Sequence, residues 1–204
     1  MRILVVAATE PEAGPIRAAR IRHEVDILVT GVGMVATAAQ TSRALAQTRY
    51  NLALNFGVCG SFDRGLPPGS VVHVVRDRIA EMGAEDGEAF VEFESLRLPG
   101  HALFVNDAPP ANTALAALPQ VTAITVNTVH GDGRSIAAVR QRFAPQVESM
   151  EGAAFMCACL IDGVPFAQIR AVSNIVERRN RDAWRLGEAL DRLGRTASSI
   201  LESL

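Results

Sequence analysis

The 204-residue chain contains no lysine; all 20 of its basic residues are arginine. This excludes a lysine Schiff base and a Walker-type phosphate loop, because both depend on the amine. Cysteine is scarce as well. Cys59, Cys157 and Cys159 are odd in number, no CxxC or HxxxH pair occurs, and the four histidines are scattered. The ligand spacings of a structural zinc site are therefore missing, and neither a metal nor a cofactor is expected. The thiols are read as reduced and buried in a cytoplasmic protein. No run of about 18 apolar residues exists to cross a membrane, and MRILVVAATE turns acidic too early for a signal peptide. A formal net charge of −2 gives no sign of a polyanionic partner, so neither nucleic acid nor membrane is expected.

What is present is a well-mixed chain, 49% apolar and 21% charged. That is enough to build one core, and residues 1–204 are read as a single domain. Short runs rich in Val, Ile and Leu read as strands: RILVVAA, HEVDILVTG, NLALNFG, SVVHVVRD, HALFVN, VTAITVN and VPFAQIRAVS. Between them lie helical stretches: TEPEAGPIRAAR with Thr9 as N-cap, MVATAAQTSRALAQTR, a segment from Pro110, residues 134–143 and SMEGAAFMCACLI. The amphipathic RDAWRLGEALDRLGRTASSILESL closes the chain, and residues 78–100 read as loop with short strands. The alternation predicts an α/β fold, a three-layer sandwich around a twisted central mixed, largely parallel sheet. Ligands in such folds gather at the carboxyl ends of strands, so the strand ends are where chemistry is sought.

Several polar or glycine-rich segments stand at those ends. GVGMVA (31–36) loosely matches a dinucleotide turn, but no acid occurs between Asp26 and Asp63 to hold a ribose, which argues against NAD. NFGVCGSF (55–62) sets Gly57 and Gly60 where backbone N–H groups can approach a ligand, or simply in a tight turn. Glu12 follows the first strand, and Glu151 enters the otherwise apolar VESMEGAAF. A carboxylate leading an apolar helix is costly to bury unless it is hydrogen-bonded or caps that helix. VPFAQIRAVS ends on Asn174, with the arginine-rich NIVERRNRDAW and the only Trp beyond it.

In order and spacing these segments resemble the nucleoside phosphorylase and nucleosidase superfamily over nearly the whole chain: VVAATEPEAGPI its catalytic loop, VTGVGMVATA and NFGVCGSF its glycine-rich loops. VESMEGAAF is similar to its Met-Glu ribose motif and VPFAQIRAVSN to its base-binding strand. MGAEDG (82–87) and SNIVERRNRDAW (173–184) resemble the futalosine hydrolase family, which splits futalosine into hypoxanthine and a dehypoxanthinyl product in the alternative menaquinone pathway. The resemblance implies a nucleoside phosphorylase-like fold, N-glycosidic hydrolysis, a small-molecule nucleoside and water as partners, no cofactor, and a homo-oligomer, dimer or larger. A methylthioadenosine/adenosylhomocysteine nucleosidase, another purine nucleosidase or phosphorylase, or a silent nucleoside-binding protein are the competing readings.

The resemblance also implies roles. Glu12 would take a proton from the attacking water. Glu151 would accept the ribose 2′ and 3′ hydroxyls while Met150 packs against the sugar. Gly57 and Val58 belong to the loop beneath it. The wider superfamily commonly carries Asp where Asn174 stands. An amide is no proton source, but it offers a donor and an acceptor together, which match O6 and a protonated N7 of a 6-oxopurine. Ser173 would steady that amide. Val58 supplies no hydroxyl for phosphate, which favours hydrolysis over phosphorolysis, although Arg17 and Arg43 remain possible cationic donors. The loop 177–184 is either a solvated charged lead-in to a helix or a cover in which Arg178, Arg179 or Arg181 pairs with a substrate carboxylate and Trp184 walls an aromatic ring.

Overall fold

The computed structural model describes residues 1–17 and 22–204. Strand β1 (Arg2–Ala7) leads into helix α1 (Glu10–Arg17), and β2 (Glu24–Val29) into α2 (Met34–Gln47). Then come β3 (Leu52–Ser61), β4 (Val71–Ile79) and the hairpin β5 (Gly83–Asp86) and β6 (Ala89–Glu92). After them are β7 (Leu103–Val105), α3 (Thr113–Ala116), β8 (Gln120–Thr125), α4 (Gly133–Phe143), β9 (Val147–Ser149), α5 (Gly152–Asp162), β10 (Phe166–Ile175) and α6 (Leu186–Glu202).

The main sheet is mixed and largely parallel, as expected. β1 pairs in parallel with β2 and β3, β3 with β10, and β8 with both β4 and β9. β10–β4, β3–β9 and β4–β7 are antiparallel. The pairings β3–β10–β4–β8–β9–β3 close on themselves, so part of the sheet rolls into a small barrel and protects its edges. Side chains alternate across the sheet. Ile3 and Val5 of β1 join Leu54 and Phe56 beneath Ile16 of α1 and Leu193 and Ile200 of α6. Leu4 and Val6 face the other way, with Leu45 of α2 and Phe155 and Met156 of α5. Helices therefore cover both faces, giving the three layers.

Element ends differ from expectation in informative places. The first helix ends at Arg17 among the described residues, and the rest of its expected span lies outside them. NFGVCGSF is no turn: β3 runs straight through it to Ser61, because β10 pairs along its whole length. β10 likewise continues past Asn174 to Ile175, but with a register shift between Val172 and Asn174. Ser173 is the extra residue of this bulge, a device that re-aims neighbouring side chains. β9, unread in the sequence, occupies three residues before α5, so that helix begins at Gly152 rather than Ser149. Only a single turn, Thr113–Ala116, follows Pro110. The closing helix starts at Leu186, leaving Trp184 in the preceding loop after a short 3-10 turn at Arg181–Ala183.

Candidate active site

Glu12 is buried at the carboxyl end of β1. Its Oε2 accepts the Thr9 backbone N–H at 2.9 Å and the Thr9 hydroxyl at 2.8 Å. The helix thus starts with the reciprocal half of a capping box, acid to N-cap amide, while the Thr9 hydroxyl donates to the acid instead of capping. Oε1 accepts the Val58 N–H of β3 at 3.0 Å, which stitches the first strand's loop to the glycine segment.

Glu151 stands at the N-cap of α5 but makes no side-chain cap. Ser149 Oγ and Thr125 Oγ1 serve that helix end, accepting the N–H groups of Gly152 at 3.3 Å and Ala153 at 2.8 Å. The carboxylate is freed to fold back, accepting the Met150 N–H at 3.2 Å and the Gly33 N–H at 3.0 Å. This gives the GVGM turn its use. Gly33 has φ 102°, a left-handed value that a side chain disfavours, and from there its amide reaches an acid from the other end of the chain. Burial pushes the Glu151 carboxyl above its usual range, Arg170 and the two backbone N–H groups pull it down, and Glu12 pushes it up. The two acids therefore sense one another, with a cation beside them. Met150 is half-buried next to them.

Arg170, a residue that sequence reasoning did not single out, supplies that cation. It sits in the middle of β10 and is almost wholly buried. Its Nη2 donates to Asn55 Oδ1 and its Nη1 to the Ile169 carbonyl at 3.2 Å, while Nε has no hydrogen-bond partner in the structure. The one signal in the sequence was a charge inside the apolar run PFAQIRAV. Below it lies Asp77, fully buried, accepting Thr125 Oγ1 at 2.9 Å and Gln168 Nε2 at 3.0 Å. Gly152 is required there, since a Cβ would overlap Asp77 Oδ2 and Gln168 Oε1.

Asn174 lies on the far side of the bulge. Its Oδ1 accepts the Ser173 hydroxyl at 2.8 Å, and its Nδ2 donates to the Ile175 carbonyl at 3.1 Å. A carbonyl can only accept, so this pair fixes which end of the amide is which. Ser173 Oγ also reaches the Cys59 carbonyl at 3.1 Å, and the Ser173 carbonyl accepts the Arg185 N–H at 2.8 Å, tying the loop after β10 back to the strand. One lone pair of Oδ1 and one N–H of Nδ2 remain for a ligand.

Asn174 opens into a narrow cleft with Gly60, Val129, His130, Glu148 and Trp184. Of the three loop arginines, Arg179 lines this cleft and lies 5.6 Å from the Trp184 ring centre. Arg178 and Arg181 are exposed and outside it. Arg17 is paired with Glu10 at 3.6 Å on the surface, and Arg43 is exposed on α2. Cys59 is buried, and burial pushes its thiol up to about 12, so it stays neutral and is no nucleophile. Among the described residues no group of three His, Cys, Asp or Glu is placed to hold a metal, and no helix is long and apolar enough to cross a membrane.

A family model for the phosphorylase superfamily matches residues 5–204. A futalosine hydrolase of Streptomyces coelicolor is 35% identical over 193 residues, covering 87% of this chain and 80% of that one. A futalosine hydrolase of Thermus thermophilus is 33% identical over 180 residues, 85% and 80% of the two chains. Among solved structures, the native futalosine hydrolase of Helicobacter pylori superposes with a TM-score of 0.84 at 15% identity, over 100% of this chain and 98% of that one; at that identity the likeness is one of fold.

Proposed function

Since the chain belongs to the phosphorylase superfamily and, within it, to the futalosine hydrolase family, we propose that it hydrolyses the N-glycosidic bond of futalosine and releases hypoxanthine. Breaking that bond builds positive charge on the ribose and negative charge on the purine, and a catalyst must favour both while supplying a nucleophile. In this reading Glu12 takes a proton from water as its oxygen attacks the anomeric carbon. Glu151 receives the ribose hydroxyls and favours the cationic sugar, with Met150 against its apolar face. Arg170 sets a positive charge near Glu151 that pulls its carboxyl down against burial. Gly57 and Val58 form the floor.

The observation that carries the substrate assignment is the fixed amide of Asn174. Held by Ser173 and Ile175, it presents its spare N–H to a 6-oxo oxygen and its spare lone pair to a protonated N7. A 6-amino group would meet the same N–H donor to donor, and the resulting unpaired group discriminates strongly. Water rather than phosphate is supported by Val58. It has no hydroxyl, and its N–H is already taken by Glu12, so an oxyanion there would face a carboxylate. Trp184 and Arg179 wall the cleft beside the base, and Arg178 and Arg181, exposed outside it, are free to meet a carboxylate further out. We place the enzyme in the cytoplasm, in menaquinone synthesis, as a homo-oligomer; the free thiols support the first.

The test is release of free base from futalosine, aminodeoxyfutalosine, inosine and methylthioadenosine, each with and without phosphate. Phosphate-independent hypoxanthine release, fastest from futalosine, is expected. Faster adenine release from methylthioadenosine contradicts the assignment.

A further inference from the structure

His130 and Glu148 form an ionisable pair inside the cleft that holds Asn174. Glu148 comes from β9 and is buried. Its Oε2 lies 2.6 Å from His130 Nδ1, and its Oε1 accepts the His130 backbone N–H at 3.0 Å. Phe62 meets the imidazole edge-on at 6.2 Å. One ring nitrogen is thus committed to the acid, and the second, Nε2, has no protein partner among the described residues. Nothing in the roles described above uses this pair. Yet a purine cannot leave as a bare anion without cost, and Asn174, which occupies the superfamily's usual acid position, has no proton to give.

We propose that His130 donates the proton that the departing 6-oxopurine needs, with Glu148 holding the imidazolium in place. The inference rests on the site being that of a purine nucleosidase. As the glycosidic bond breaks, its electron pair stays on the purine, and the Nε2 proton passes to a purine ring nitrogen, leaving neutral His130. The oxygen of water bonds to the anomeric carbon, and one water proton goes to Glu12. Exchange with solvent removes the Glu12 proton and restores the imidazolium, so one water is consumed per bond cleaved. Asn174 then reads the base while His130 neutralises it.

The electrostatic surroundings agree. Glu148 favours the charged imidazole and raises its pKa above the ordinary value, with Glu81 acting in the same direction and partial burial opposing both. Glu177 and Arg179 face the cleft from the loop after β10. On the other side of His130 lie Glu85 and Glu88 of the β5–β6 hairpin and Arg142 of α4. Acids outnumber cations around the ring, which favours its charged form.

The experiment is the pH dependence of kcat for wild type, Glu148→Gln and His130→Gln, read on whichever purine nucleoside the wild type cleaves fastest. Wild type should lose kcat on an alkaline limb. Glu148→Gln should bring that limb to lower pH. His130→Gln should lower kcat at neutral pH by about 10²–10⁴-fold, abolish the limb and change KM far less. An alkaline limb that survives unchanged in both variants, or an undiminished kcat in His130→Gln, overturns the proposal. If His130→Gln does not fold, the position of the Glu148→Gln limb decides the matter. A wild type that prefers a nucleoside other than futalosine speaks against the substrate assignment alone and leaves this comparison intact.

Discussion

Glu12 and Arg170 both stand against Gly57. A Cβ built on that glycine would lie 3.2 Å from Glu12 Oε1 and 3.1 Å from Arg170 Nη1. An acid from α1 and a cation from β10 are thereby held over one stretch of bare backbone, with Glu151 close enough to feel both. This is where a nucleophilic water would be primed. Glu12→Gln preserves the shape of the side chain and removes its basicity. Turnover should fall about 10²–10⁴-fold, with a modest change in KM. Near-normal kcat in steady-state assays removes Glu12 from the role of base.

Arg170 has an electrostatic duty that can be separated from packing. It pulls the Glu151 carboxyl down against burial. In Arg170→Leu that pull is gone, so the carboxyl rises further and needs a higher pH to ionise. The acid limb of kcat/KM should move to higher pH, and an acid limb in its wild-type position contradicts the coupling. Asn55 also loses its guanidinium partner in this variant, so a drop in Tm is expected alongside.

Asp77 allows a stability measurement under the site. Burial raises its carboxyl from 3.8 to about 6, against the hydrogen bonds from Gln168 and Thr125. A raised folded value means that the folded state holds the proton more tightly than the unfolded chain. The contribution of Asp77 to stability is therefore complete below about pH 3.8 and is lost as the pH climbs through about 6. Relative to wild type, the Tm of Asp77→Asn should improve steadily between those two values. A Tm difference that is flat across this range places the ionisation of Asp77 outside the folding equilibrium.

Asn174→Asp exchanges the spare N–H for a carboxylate oxygen. Ionised, that oxygen repels O6 and also faces the Ile175 carbonyl that Nδ2 now contacts at 3.1 Å. The ratio of 6-oxopurine to 6-aminopurine cleavage should shift toward the amino substrates. An unchanged ratio in competition assays contradicts the base-edge account.

Much of the fold was legible because it follows from periodicity. β1 alternates so that Ile3 and Val5 join one core cluster and Leu4 and Val6 the other, and a buried apolar run of that kind reads as a strand without help. NLALNFG reads as a strand as far as Gly57, but VCGS was not legible as its continuation, since glycine lowers strand propensity and only pairing with β10 restores it. β9 was missed because three residues are too few to show a period. Glu12, Glu151 and Asn174 were visible as polar residues where apolar runs stop. Arg170 was not, because it lies within a strand, and only the fold shows that Asn55 and the two acids surround it. His130 and Glu148 were invisible as a pair. They are 18 residues apart, and β9, the strand that carries Glu148, was itself unread.

The account stands most directly on where the base sits. A crystal structure of the protein with hypoxanthine bound should place O6 within hydrogen-bond distance of Asn174 Nδ2, with the ring in the cleft beside His130. A base bound elsewhere, or lying there with the amide turned away from its edge, contradicts it.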